Sequence, residues 1–148
     1  MQTVLFQIHH RKLCARNVSL LNQSTPKIAG IGISEFSKPG QDVNLVRWTA
    51  PETFKSKNYV SKCDVWSFGC LMWEAVTLGA TPYPEIKSKD LPSRVSRGLR
   101  LPQTGAMSDD LYQMMLNCWQ VDPDERPSFA EIVEQLSGLA QHGNVRIQ

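Results

Sequence analysis

Residues His9–Asn17, HHRKLCARN, gather two histidines, three cations, a thiol and an amide within nine positions. These polar groups follow no helical period, so the stretch reads as a loop. The His9–His10 doublet has the side chains of a metal site. Adjacent residues rarely turn toward one ion, however, and no acidic or cysteine companion stands at ligand spacing. Lys12 could hold a phosphate as a point charge; the plain alternative is a solvated side chain. Arg16 could meet an acidic partner, or be a loop charge and nothing more. The four cysteines, Cys14, Cys63, Cys70 and Cys118, show no metal-ligand spacing. They read as free thiols of a reducing compartment, with disulfides as the alternative.

One more acidic group stands out by its surroundings. In Ser61–Gly79, SKCDVWSFGCLMWEAVTLG, nearly every residue from Cys63 to Val76 is apolar, apart from Asp64, Ser67 and Glu74. A surface helix carries one apolar stripe, so this segment should be a helix enclosed by its own domain. It is too short and too interrupted to span a membrane. Ser61 and Asp64 have capping-box spacing, and Gly79 sits where a helix would stop. A carboxylate entering a core costs several kcal/mol unless it is hydrogen-bonded, so Asp64 requires donors from elsewhere in the chain.

The remaining elements are arranged around that helix. Residues 1–8 are apolar enough for the last turns of a helix. Val18–Leu21 and Pro26–Ile28 flank the turn-like NQST and predict a short hairpin. Residues 37–44, with Pro39–Gly40, form a flexible loop, and Pro51 argues against a helix running through VRWTAPE. ATPYPEI is a proline-broken connector. Ser88–Gly98 is a short amphipathic helix weakened by Pro92. Ser108 N-caps a helix reaching Gln120, and Ser128 with Glu131 forms a capping box for the last one. Trp66, Trp73 and Trp119 are core by spacing. The fold class is mainly α with a short hairpin: one domain over residues 1–140 and a polar tail over 141–148. The chain of 148 residues is long enough for one real core. A net charge of +2 marks neither nucleic acid nor a membrane surface as partner.

Taken in order, HHRKLCARN, KIAGIGIS, VRWTAPE, KCDVWSFG and CWQVDPDERPSF resemble the large, C-terminal lobe of a protein kinase of the receptor tyrosine kinase type. The resemblance runs from about His10 to about Leu136. Trp48, in the peptide-docking loop of Val46, Arg47 and Trp48, and the Ala15-Arg16-Asn17 ending both resemble tyrosine kinases more than serine/threonine kinases. The resemblance implies that Asp64 accepts hydrogen bonds from the catalytic-loop backbone around His10 and Arg11, with His10 as the packing histidine of that loop. It also implies that Glu52 pairs with a buried Arg126, and that Trp48 packs against the start of the central helix.

It further implies that the chemistry has been lost. Phosphoryl transfer in this family uses an aspartate as base, and an asparagine and a second aspartate to hold magnesium. Lys12 stands at the position of the base, and an ammonium has no lone pair with which to accept a proton. Asn17 stands at the metal-binding asparagine, where hydrogen bonds to its own loop are the simpler role. Gly30 replaces the metal-binding aspartate. No tyrosine lies between Ile33 and Thr49; Ser34, Ser37 and Thr49 are the hydroxyls there. The small lobe's glycine-rich loop and its lysine–glutamate pair are not recognisable. ATP and magnesium are thus implied by family resemblance only, and no cofactor is expected. The expected function is that of a pseudokinase, binding other signalling proteins such as an active kinase or receptor. The expected setting is cytoplasmic, as the intracellular part of a membrane receptor. Two alternatives stand beside it: a residual tyrosine kinase completed by an N-terminal lobe, and a truncated product without independent function.

Overall fold

The structure, a computed structural model, describes residues 9–30, 45–56 and 60–141. The expectations for residues 1–8, for Ser34 and Ser37, and for the tail beyond Gln141 lie outside them. In chain order, the elements are strands β1 (Val18–Leu21) and β2 (Thr25–Ile28), then helices α1 (Pro51–Lys55), α2 (Ser61–Val76), α3 (Leu91–Ser96), α4 (Asp109–Cys118) and α5 (Phe129–Gln141). The described residues are mainly helical with one two-stranded sheet, as expected for the lobe that the motifs resemble.

Helix α2 is the centre. Ten of its sixteen residues are buried, so it turns almost every face inward. Gly69 shows how closely α4 approaches: a Cβ there would lie 2.6 Å from Trp119 Nε1 and 2.9 Å from Cys118 Cβ. Trp66, Trp73 and Trp119 all belong to this core, together with Leu91, Leu101, Met114, Met115 and Ile132. All four cysteines are buried free thiols, and burial pushes the Cys63, Cys70 and Cys118 thiols up from their ordinary value.

The helix ends correct several expectations. Ser61 does not cap α2: the N-cap is Val60, with no side-chain hydrogen bond, because both Asp64 oxygens are engaged elsewhere. The helix stops at Val76, and Leu78, not Gly79, takes the first left-handed position (φ 56°). Leu78 N–H donates to Ala75 O and Gly79 N–H to Glu74 O, the bonding of a Schellman motif. Pro92 lies in the first turn of α3 and does not weaken it, since a proline there removes an N–H that has no intrahelical partner. Pro51 opens α1 after extended residues at Thr49 and Ala50, so no helix runs through VRWTAPE, as expected. The Ser108 cap is present, with Leu111 N–H donating to its Oγ at 3.2 Å. So is the Ser128–Glu131 box: Glu131 N–H donates to Ser128 Oγ, and Ser128 N–H to Glu131 Oε2. Gln141 belongs to α5 rather than to a tail.

The hairpin starts its second strand at Thr25, one residue earlier than expected. Its register runs from Val18↔Ile28 to Leu21↔Thr25. Asn22 and Gln23 both take positive φ, 51° and 62°, as tight hairpin turns require. At the other end Ala29 N–H donates to Asn17 O at 2.8 Å, which sets Asn17 beside the residue preceding Gly30.

Candidate functional site

The loop His9–Asn17 is held from below by α2. His10 N–H donates to Asp64 Oδ2 at 2.7 Å, and Arg11 N–H donates to Asp64 Oδ1 at 2.8 Å. One buried carboxylate thus receives two successive amides. This satisfies the donor requirement that an acidic residue in an apolar run creates. It also holds Arg11 at φ 66°, a left-handed conformation that a non-glycine residue adopts at a cost of about 1 kcal/mol or more. Two charge-assisted hydrogen bonds exceed that cost.

His10 extends the tether to the hairpin. Lys12 N–H donates to its Nδ1 at 3.2 Å, so Nε2 carries the proton and donates to Ala29 O at 2.8 Å. The loop end and the hairpin exit are therefore fixed together. A Cβ built on Gly30 would sit 3.9 Å from both Cγ and Nδ2 of Asn17, so the two positions that resemble the metal ligands do face one another.

What they offer does not fit magnesium, which takes hard oxygen donors in octahedral array. Gly30 has no side chain. Its φ of 86° favours glycine and strains any replacement. Asn17 Nδ2 donates to Lys12 O at 2.6 Å, so what Asn17 can offer is one neutral amide oxygen, too few for the ion on its own. Both Asp64 oxygens already accept backbone amides. Among the described residues, no group of three His, Cys, Asp or Glu side chains could hold a metal ion; this includes the His9–His10 doublet. Lys12 is half-buried and lines a shallow pocket with Arg11, Trp48, Thr49, Asp64 and Ser67. Arg16 is exposed.

The docking-loop residues form a single 3-10 turn, Val46–Trp48. Arg47 is committed to the scaffold, its guanidinium donating to the carbonyls of Pro82, Tyr83 and Ile86. Trp48 is half-buried, lines one pocket with Cys63 and Asp64 of the first turn of α2, and is hydrogen-bonded further along that helix. Ser67 Oγ donates to Trp48 O at 2.8 Å, and Trp48 Nε1–H donates to Glu74 Oε2 at 2.8 Å. Glu74 Oε2 also accepts Ala15 N–H at 2.8 Å. Ser67 and Glu74 received no role from the sequence, although the argument applied to Asp64 holds for them too: buried polar groups need partners.

Arg126 is buried at 2% exposure and meets Glu52 through two parallel hydrogen bonds, Nη1 to Oε1 at 2.6 Å and Nη2 to Oε2 at 2.8 Å. It also donates to the carbonyls of Gln120 and Lys62 and stacks 5.1 Å from the Trp66 ring. Burial pushes the Glu52 carboxyl up, but the hydrogen bonds and charge of Arg126 outweigh it and hold the carboxyl below its ordinary value.

Residues 6–136 match the family described as protein tyrosine and serine/threonine kinase. The chain is 39% identical over 140 residues to vascular endothelial growth factor receptor 1 of Mus musculus, an alignment covering 89% of this chain and 10% of the receptor. It is 39% identical over 145 residues to vascular endothelial growth factor receptor 2 of Coturnix japonica, covering 93% of this chain and 11% of that receptor. It is 40% identical over 139 residues to the tyrosine kinase receptor Cad96Ca of Drosophila melanogaster, covering 89% of this chain and 18% of that protein. The chain therefore spans between a tenth and a fifth of the length of these curated relatives.

Proposed function

The chain belongs to the protein tyrosine and serine/threonine kinase family, related to receptor tyrosine kinases, and we propose that it is a pseudokinase lobe acting through protein contacts rather than phosphoryl transfer. The observation that carries this reading is the pairing of Asn17 with Gly30. Where the family places two magnesium ligands, this chain presents one neutral amide bonded to its own loop and a glycine in a conformation that suits glycine. Lys12, at the position of the base, supports the same conclusion, because an ammonium cannot take the hydroxyl proton. The framework meanwhile remains intact: Asp64 holds the loop, Arg126 is paired, and Trp48 is fastened to α2. A preserved framework without the acidic chemistry suits a surface that other signalling proteins bind, among them an active kinase or a receptor. The docking turn Val46–Trp48 is the centre of that surface. The relatives are receptors by name, which supports a place on the cytoplasmic side of a membrane, within a longer protein.

A thermal-shift titration tests the cofactor half of the proposal. A ligand bound at a hundredfold excess over its Kd adds about 2.7 kcal/mol of stability. ATP with magnesium or manganese is expected to leave the Tm of the longest protein that carries the chain unchanged. A saturable, metal-dependent rise in Tm would favour a residual kinase instead.

A further inference from the structure

Glu74 is 7% exposed and is the polar residue of α2 that reaches both upper loops. A single oxygen, Oε2, accepts Ala15 N–H and Trp48 Nε1–H, each at 2.8 Å. Ala15 opens the 3-10 turn Ala15–Asn17 that carries the exposed Arg16. Trp48 closes the docking turn. The two donors lie 33 positions apart in sequence and share one acceptor, so their positions are not independent: displacing either one moves the oxygen that fixes the other. We infer that Glu74 is a positioning residue that locks the docking turn to the remnant of the catalytic loop, so that a partner seated on Trp48 changes the presentation of Arg16. Trp48 is held from a second side by Ser67 and its neighbour Arg47 by the carbonyls of the 82–86 segment. The docking turn is therefore stiff enough to transmit a displacement. Coupling of this kind is reciprocal, because both donors bond to the same oxygen.

The consequence for docking rests on the function proposed above; the lock itself is tested without any partner. The probe is hydrogen exchange of the Ala15 amide and the Trp48 indole in the whole 148-residue chain. Trp48→Phe keeps an aromatic ring and removes the indole donor. It is expected to speed exchange at Ala15 by about fivefold to tenfold, the scale of one local hydrogen bond. Glu74→Gln keeps an acceptor oxygen but loses the charge, and is expected to speed both reporters together. Tyr112→Phe deletes a hydrogen bond of similar length to Leu101 O on another part of the domain, and should leave Ala15 within about twofold of wild type. Three results would each overturn the lock: no change at Ala15 in Trp48→Phe, equal acceleration in Tyr112→Phe, or a response of one reporter alone in Glu74→Gln. An intact lock in a chain later shown to transfer phosphate would sink the docking role and leave the lock standing.

Discussion

Asp64 and Arg126 bring opposite charges into one core, and each is answered in full there: Asp64 by two amides, Arg126 by a bidentate carboxylate and backbone carbonyls. Breaking such a pair leaves an uncompensated buried charge at a cost of about 3–5 kcal/mol. Glu52→Gln should lose about that much at neutral pH. The pH dependence has a definite sign. The folded Glu52 carboxyl titrates below its ordinary value of 4.5, so its contribution is fully present above that value and is lost as pH falls through the lowered folded value. Urea midpoints for wild type and variant should therefore differ at pH 7 and converge as the pH falls through the acid range. A constant gap from pH 7 to pH 3 would contradict this role for the pair. Asp64 was legible from sequence because a carboxylate in an apolar run demands a partner; the Glu52–Arg126 pair was implied by the family resemblance alone. Glu74 obeys the same rule but was passed over, since nothing in the local sequence says which distant donors will arrive. The Ser61–Asp64 capping box was misread for a related reason: spacing allows it, but the carboxylate went to the two amides of a loop more than fifty residues away.

Two helices end in the same motif with different residues. At the end of α3, Gly98 takes the left-handed position (φ 104°), and Leu99 N–H donates to Arg94 O. At the end of α2 that position falls to Leu78, whose side chain is 84% exposed. The leucine buries little and adopts a backbone that glycine tolerates better. Leu78→Gly should therefore raise stability by about 0.5–1 kcal/mol in thermal melts; a loss would show that the side chain has a partner the fold conceals. Gly69 is the opposite case. It is helical, and its requirement is space: α2 and α4 meet where a Cβ would overlap Trp119 and Cys118. Gly69→Ala should cost about 1–3 kcal/mol by overpacking, read as a lower Tm, and an unchanged Tm would mean that α4 can move aside. Apolar runs and apolar spacing located these helices but not their last turns, which depend on which carbonyls the following residues can reach. Pro51 does bar a helix from running through VRWTAPE, but Pro92 is no weak point: it lies in the first turn of α3, which has N–H groups to spare.

As a whole, the molecule is a nearly all-buried helix with a polar loop tied to one side of it and a docking turn to another. The enclosed helix, the hairpin and the late capping box were readable from apolar runs, turn residues and cap spacing. The hairpin base was not, and it is what sets Gly30 against Asn17; that juxtaposition follows from strand register and from His10 bridging to Ala29. The central claim is that this kinase-type lobe retains its scaffold and does not transfer phosphate. The most direct test is incorporation of labelled phosphate from ATP, with magnesium or manganese, into a tyrosine-containing polypeptide by the longest protein that carries the chain, measured against its Lys12→Ala variant. The two should give the same background; incorporation by the wild type above that variant would contradict the account.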